Sequence, residues 1–174
     1  MSEDNKINNE KLVHAYNQMM IRVSEALTEA EKATEPLLHK AIGAAEEKAV
    51  ELGEVTREEA IRIGEYLRRD LQDAGKYLAS DEAQELKDWL LFDIEMIEAQ
   101  LLDMFLSVAD RAKLDMLDFE EDLAEASQYR TGEITGPGTL SCMGCGELLH
   151  FHAAGHIPPC PKCHDTYFIR PENQ

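Results

Sequence analysis

The sequence predicts a mainly α-helical chain that ends in a small β module. Most of the chain carries apolar residues at steps of three and four, which is the spacing of one helix face. The C-terminal part contains all four cysteines, in two Cys-x-x-Cys pairs, among strand-forming and turn-forming residues. The predicted fold class is therefore an N-terminal antiparallel helical bundle, with coiled-coil hairpins and one long helix, joined to a C-terminal β ribbon with rubredoxin-like knuckles.

Composition shifts divide the 174 residues into four parts. Residues 1–8 are polar, and we expect a disordered N-terminus there. Residues 9–127 are predicted to form an acidic helical domain. Residues 128–139 hold three glycines and Pro137, which is typical of a linker. Residues 140–171 then form the ribbon.

Three apolar stripes open the helical domain. Gly53 is expected to end the second helix as its C-cap. Thr56 and Glu59 have the spacing of a capping box, in which each side chain accepts a hydrogen bond from the other residue's backbone N–H. The stripes are Leu12, Tyr16, Met19, Val23, Leu27 and Ala30, then Leu38, Ile42, Ala45, Ala49 and Leu52, then Ala60, Ile63, Leu67, Leu71, Ala74 and Leu78.

From Asp81 to Tyr129 the chain has neither glycine nor proline, and one apolar stripe runs through it. This pattern predicts one long helix over residues 82–127, with a break near 107–110 as the alternative. The stretch 90–108 carries a second apolar set, so it should lie in the centre of a bundle or bury one face in a dimer.

The cysteines follow the pattern Cys-x2-Cys-x14-Cys-x2-Cys, at Cys142, Cys145, Cys160 and Cys163. Two residues between the members of a pair allow a tight turn to point both sulfurs at one ion, and we expect each turn at the tip of a hairpin. Four thiolates complete a tetrahedral structural zinc site. Gly146 and His164 follow the second ligand of each pair, where a positive φ would turn backbone amides toward the sulfurs.

Other chemistry for these cysteines remains open. Disulfides are disfavoured because the chain shows no secretory signal. Iron is less favoured than zinc, although a rubredoxin site uses the same four thiolates. Four histidines also crowd the segment and could bind a second metal, but four thiolates already fill one coordination shell. They are His150, His152, His156 and His164.

Two segments resemble a known family. Residues 131–140 (TGEITGPGTL) and 157–163 (IPPCPKC) resemble the YbeL-like zinc-ribbon-containing proteins of bacteria, a family of unknown function. Three upstream segments also resemble this family: GEVTREE at 53–59, YLRRDL at 66–71 and LSVADR at 106–111. The resemblance implies a helical region, a C-terminal zinc ribbon with its metal on the four cysteines, and no assigned activity.

The charge distribution limits the partners. The formal net charge is −18, and only three basic and four acidic residues lie from Tyr129 onward, so nearly all the negative charge belongs to the helical domain. Such a surface repels nucleic-acid phosphates and anionic membranes. The most apolar stretch, Trp89 to Val108, contains four carboxylates, which argues against a membrane span. We therefore expect a soluble cytoplasmic protein.

The abundant acidic residues of the helices suggest a carboxylate-bridged di-iron site. A rubrerythrin also joins a helical bundle to a Cys-x-x-Cys ribbon, but its di-iron site needs Glu-x-x-His motifs. Glu10–His14 and Glu35–His39 are spaced by four residues instead, and both histidines are expected at the surface. No phosphate-binding glycine loop or nucleophile elbow is present. We expect no enzyme activity.

Three functions remain as hypotheses. The first is a non-enzymatic interaction or adaptor protein, with one structural Zn²⁺ per chain, a protein partner and possible homo-oligomers. The second is a ribbon that contacts nucleic acid or the transcription machinery, although Arg130, Lys162 and Arg170 are a sparse basic set. The third is a redox role, either as a rubredoxin-like iron carrier or as a thiol switch.

Overall fold

The structure is a computed structural model, and it describes residues 3–29, 37–79, 103–105, 107–109 and 128–171. It is mainly helical in its N-terminal part and ends in small antiparallel sheets, as the sequence predicts. Side chains are described within these ranges except for Glu3, Asp4, Leu37 and residues 76–79.

Three helices form the N-terminal part: α1 at Glu3–Glu29, α2 at Leu37–Glu51 and α3 at Arg57–Ala79. Each of the three packs against the other two. Helix α1 begins at Glu3, so the expected disorder of residues 1–8 is wrong from that residue onward. None of the helices within the described ranges combines the length and apolar character needed to span a bilayer.

The predicted stripes form the helical core. Nearly every stripe residue with a described side chain is buried, and Leu12 is partly buried. Leu52 is the exception, since its side chain is 55% exposed. It follows the last residue of α2, where the chain has already left the helix. The helical period therefore predicts burial correctly only as far as the helix itself extends.

Both predicted helix-end signals are confirmed. Gly53 has a φ of 69°, and the N–H groups of Gly53 and Glu54 donate to the carbonyls of Val50 and Ala49, which closes a Schellman motif. The Thr56 N–H donates to Glu59 Oε2 at 2.8 Å, and the Glu59 N–H donates to Thr56 Oγ1 at 3.2 Å. These caps fix the turn that brings α3 back onto α2.

Most of the predicted long helix over 82–127 lies outside the described residues. Of the alternative break near 107–110, residue 110 also lies outside them, whereas 107–109 are described. Residues 103–105 and 107–109 are helical. Phe105, Val108 and Ala109 are at most 1% exposed and belong to the same core as α1, α2 and α3. This stretch therefore contacts the helical domain, as its two apolar sets predict.

Six short strands form the C-terminal module. Their bounds are β1 Gln128–Arg130, β2 Ile134–Thr135, β3 Gly138–Cys142, β4 Leu148–Phe151, β5 Gly155–His156 and β6 Tyr167–Ile169. The order β1-β6-β3-β4 makes one antiparallel sheet, and β2 pairs with β5 in a second. Residues 128–139, which the sequence predicted to be a linker, hold β1, β2 and the start of β3. The module therefore begins at Gln128 rather than at residue 140.

Candidate metal centre

The structure brings the four cysteine sulfurs together. Cys142 Sγ lies 3.5 Å from Cys163 Sγ, and Cys145 Sγ lies 3.6 Å from Cys160 Sγ. All four sulfurs lie within 4.8 Å of one another. A Zn–S bond of 2.3 Å puts the corners of a tetrahedron about 3.8 Å apart. The sulfurs are thus far too distant for disulfides, whose S–S bond is about 2 Å, and their spacing suits one metal ion.

Two turns supply the sulfurs, but they differ from the predicted pair of hairpins. Cys142 ends β3 and Cys145 lies in the turn to β4, so the first pair does sit on a hairpin. Cys160 and Cys163 lie between β5 and β6, which belong to different sheets. The second pair reaches the first because β6 pairs with β3, with Phe168 opposite Cys142.

The residues after each pair have the predicted backbone conformation. Gly146 has a φ of 74° and His164 a φ of 61°. Their N–H groups donate to the carbonyls of Cys142 and Cys160, at 2.8 and 2.9 Å. Two cysteine turns with the same backbone hydrogen bond therefore face the same point. The positive φ of Gly146 and of His164 was predicted from the sequence.

The thiols compete for negative charge. Burial raises the pKa of Cys160, but the N–H groups of Cys163 and Lys162 and the neighbouring thiols lower it to about 7. The Asp165 N–H lowers the pKa of Cys163, whereas the surrounding thiols raise it to about 12. Because like charges at this distance disfavour each other, the four groups cannot all ionise without a cation. A divalent ion removes that conflict, and four soft thiolates suit zinc.

None of the four histidines of this segment belongs to the sulfur cluster. His150 lies 2.8 Å from Thr139 Oγ1 across β3 and β4. His156 lies in β5, with its ring nitrogens 3.0 Å from the Gly132 carbonyl and 3.2 Å from the Asn9 carbonyl of α1. His152 is exposed after the end of β4. His150 therefore belongs to the framework of the ribbon, and His156 contributes to its contact with α1.

A buried carboxylate joins the ribbon to the helices. Asp70 of α3 is 0% exposed. Its Oδ2 accepts a hydrogen bond from the Tyr16 hydroxyl at 2.6 Å and another from the Gly136 N–H at 2.8 Å. A Cβ on Gly136 would lie 2.9 Å from the Tyr16 hydroxyl and 3.3 Å from Phe105, so only glycine allows this close approach.

Arg69, the neighbouring residue on α3, binds a backbone carbonyl of the ribbon. Its guanidinium donates to the Ile134 carbonyl at 3.0 Å and pairs with Glu133 at 2.5 Å. It also lies 3.8 Å from the centre of the Tyr129 ring. Burial lowers the pKa of Arg69, but Asp70, Tyr129 and Glu133 raise it above its ordinary value. The cation is therefore fixed between the two parts of the molecule.

Tyr129 completes this junction, which we define as Tyr16, Arg69, Asp70, Asp73, Tyr129, Glu133, Gly136 and Arg170. The Tyr129 hydroxyl donates to Asp73 of α3 and accepts from Arg170 Nε at 3.2 Å. The ring is 0% exposed. The sequence patterns did not predict the junction. A signal was present, because Asp70 lies three residues after Leu67 and four before Ala74, and so on the buried face of α3.

The model of a family described as a zinc-ribbon containing domain matches residues 25–172. The chain belongs to this family. Curated relatives include the uncharacterized protein YbeL of Escherichia coli K12, which is 28% identical over 166 residues, covering 92% of this chain and 97% of the relative. YbeL from the E. coli strains O6:H1 and O157:H7 matches to the same extent. No solved structure matches the chain significantly. The predicted resemblance to the YbeL-like family is confirmed.

Proposed function

We propose that this protein is a non-enzymatic interaction protein that binds one structural Zn²⁺ per chain and presents its ribbon to a protein partner. The observation that carries the proposal is the closed ligand set. Cys142, Cys145, Cys160 and Cys163 supply four sulfurs from the chain itself. Catalytic zinc sites keep one position for water or substrate, whereas structural sites fill all four with protein ligands.

The junction supports the role of the helices as a scaffold. Arg69 and Asp70 bind backbone groups of Ile134 and Gly136, so the ribbon has a fixed orientation on α3. A fixed orientation favours recognition, since less conformational freedom is lost when a partner binds. Free thiols as metal ligands also fit a reducing compartment, which favours the cytoplasm.

The alternative of a nucleic-acid-binding ribbon loses support from the basic residues. Arg170 is turned toward Tyr129 and Thr135 inside the junction. Lys162 lies 3.4 Å from Glu147. Arg130 is exposed, and no carboxylate lies within ion-pair distance of it among the described residues. One such cation on a chain of net charge −18 is a poor basis for binding phosphates.

The first test is metal content, measured by elemental mass spectrometry together with native intact mass on protein purified without added metal. We expect one zinc per chain. One iron per chain would instead favour the electron carrier, and zinc that oxidants readily eject would favour the thiol switch.

The second test is partner binding. Affinity capture is carried out with the zinc-loaded chain and with a Cys145→Ser/Cys163→Ser variant. The partner recovered with the zinc-loaded chain should be absent from the capture with the variant. Equal recovery by both would mean that the ribbon is not the interaction module.

A further inference from the structure

The four-stranded sheet has a buried side and an exposed side. Tyr129, Leu140, Leu149 and Phe168 point into the ribbon core. In each strand, the neighbours of these inward-pointing residues point to the opposite side of the sheet. The first residue after β3 does the same. We give the name outer face to the two rows of this side formed by Gln128, Arg130, Ser141, Met143, Leu148, Tyr167 and Ile169. A third row, Thr139 paired with His150, continues this side of the sheet, and the His150 side chain is exposed.

Strand register arranges the outer face in two adjacent rows. In the first row Arg130 pairs with Tyr167, and the Met143 N–H donates to the Tyr167 carbonyl at 3.0 Å. The second row lies two residues further along each strand. It runs across all four strands as Gln128, Ile169, Ser141 and Leu148. Because neighbouring strands are about 4.8 Å apart, side chains in these rows are direct neighbours.

The outer face is the place where exposed apolar side chains gather. Met143 is 52% exposed, Leu148 44%, Tyr167 40% and Ile169 39%. Among the described residues three other large apolar side chains are exposed, and they are scattered over α1, the α2–α3 turn and α3 as Ile7, Leu52 and Ile61. Scattered apolar residues are normal on a protein surface, whereas a contiguous set indicates a binding surface.

The charge of the outer face is opposite to that of the chain. The outer face carries no carboxylate, and the guanidinium of its Arg130 lies 5.1 Å from the centre of the Tyr167 ring. Within the described ranges no carboxylate lies close enough to form an ion pair with Arg130. A chain of net charge −18 thus presents a cation on its most apolar exposed patch.

We propose that the outer face docks an acidic amphipathic segment of a partner protein, which covers Met143, Leu148, Tyr167 and Ile169 and pairs a carboxylate with Arg130. This inference rests on the proposed function and specifies the surface and the partner's chemistry. Tyrosine, methionine and arginine are the residue types enriched where proteins meet, and charged residues are depleted from the centre of such interfaces. Tyr167 and Arg130 are the expected hot spots.

A peptide library tests the proposal with the full chain. Random 16-residue peptides displayed on phage are selected on the zinc-loaded protein, and enriched peptides are measured by fluorescence anisotropy at low and high salt. We expect peptides with net negative charge and at least two large apolar residues. A Leu148→Ser/Tyr167→Ser variant should weaken their binding at least tenfold. Arg130→Glu should weaken it several-fold at low salt and less at high salt.

An Ile7→Ser/Ile61→Ser variant is the matched control, since it removes exposed apolar side chains from the helices instead. Its peptide affinity should equal that of the unchanged protein. The proposal is overturned by any of four results: no enriched peptide, enriched peptides that are neutral or basic, equal affinity in the outer-face variant, or self-association that the outer-face variant abolishes. The last result would identify a second copy of the chain as the occupant.

The variant with a disrupted metal site separates this inference from the proposed function. If peptides bind the outer-face variant normally but not the Cys145→Ser/Cys163→Ser variant, the ribbon is the interaction module and the docking surface lies elsewhere on it. If they bind both variants normally, the proposed function fails as well. Metal content and the far-ultraviolet spectrum must match the unchanged protein for the outer-face and control variants.

Discussion

The helical domain and the ribbon are stabilised in different ways. Among the described residues, the helical core contains 21 buried residues, whereas the ribbon core contains seven, and two of these are the ligands Cys142 and Cys160. Hydrophobic burial can sustain the helices, because stability grows with the apolar area removed from water. A core of seven residues is too small, and modules of this size need a metal or disulfides.

The contact between the helical domain and the ribbon is more polar than either core. Ile134 of β2 packs in the helical core and Ala154 packs against it, whereas the junction is largely polar and is centred on Asp70 and Arg69. Buried polar groups are costly unless they are paired, so each part of the molecule depends on the other to satisfy its charges. We therefore expect metal binding to affect more than the ribbon, because the ribbon supplies partners of two buried charges of α3.

Metal removal should have the largest effect. Structural zinc contributes on the order of 10–16 kcal/mol to the folding of small modules. We expect a strong chelator to abolish the ribbon's dispersed amide resonances. The thermal midpoint of the helices, followed by circular dichroism at 222 nm, should also fall, because Asp70 and Arg69 lose Gly136 and Glu133.

A Cys145→Ser variant should behave like the chelated protein and respond no further to chelator. If the ribbon stays folded after zinc is removed, the structural role of the metal is wrong. If the helices keep their thermal midpoint while the ribbon unfolds, the junction does not couple the two parts.

Asp70→Ala should be the most damaging single change in the helical domain. It removes the carboxylate that lies 3.5 Å from Arg69 Nε, leaving Arg69 with Glu133. It also deprives the Tyr16 hydroxyl and the Gly136 N–H of their acceptor. Breaking a buried pair costs about 3–5 kcal/mol. Asp70→Asn keeps an acceptor oxygen and should cost less, about 1–3 kcal/mol. Urea unfolding of the zinc-loaded protein measures both.

Glu47→Ala is a suitable control for this series, since Glu47 is exposed on α2 and such changes stay within about 0.5 kcal/mol. An Asp70→Ala cost no larger than the control would mean that water replaces the lost partner. The junction would then be a consequence of docking rather than its cause.

The features that depend on local sequence pattern were predicted correctly. Periodicity gave the buried faces of α1, α2 and α3, and Thr56, Gly53, Gly146 and His164 were recognised from the turn chemistry that their positions require. The start of α1, the strands within 128–139 and the position of the second cysteine turn between two sheets, rather than on a hairpin, were missed. Those strands are only two to five residues long and exist because they pair with partners distant in sequence, such as Tyr129 with Phe168.

The junction was missed for a related reason. Asp70 has a core position in the helical period, but a carboxylate there conflicts with the pattern and is naturally read as solvated. Its partners, Tyr16 and Gly136, lie 54 and 66 residues away. Only the docked ribbon makes burial of this carboxylate possible, and the one local clue was its place between Leu67 and Ala74.

Alkaline titration should show how tightly the junction is packed. Burial, followed by Asp70, raises the pKa of Tyr16 well above its ordinary value, and burial also raises the pKa of Tyr129, with Arg170 opposing and Asp70 and Asp73 adding to the rise. The folded state thus keeps protons that the unfolded state loses. Stability is fully present below about pH 10 and falls as the pH rises further, by up to about 1.4 kcal/mol per pH unit for each tyrosine.

Urea unfolding between pH 8 and pH 11 measures this slope. A Tyr16→Phe variant should start from a lower stability, because it lacks the hydrogen bond to Asp70, but its stability should decline less steeply above pH 10. A slope unchanged by this substitution would show that Tyr16 ionises in the folded protein as easily as in the unfolded chain.

The smallest expected effect tests the helical domain where the ribbon plays no part. Thr56→Ala removes an N-cap and should cost about 1 kcal/mol, whereas Thr56→Ser keeps the hydroxyl and should cost much less. The Thr56 N–H lowers the pKa of Glu59. The contribution of the Glu59 carboxylate is therefore present above its unfolded pKa and lost as the pH falls through the lowered value.

Glu59→Gln measures that charge, because glutamine keeps the capping geometry. It should cost about 0.3–1 kcal/mol at pH 7, where the carboxylate also interacts with the N-terminus of α3, and progressively less as the pH falls through the lowered pKa of Glu59. Chelation should leave both capping costs unchanged, since Thr56 and Glu59 contact no ribbon residue in the described hydrogen bonds and ion pairs. Capping costs that shift with zinc would show that the metal's influence on the helices reaches beyond the junction at Asp70.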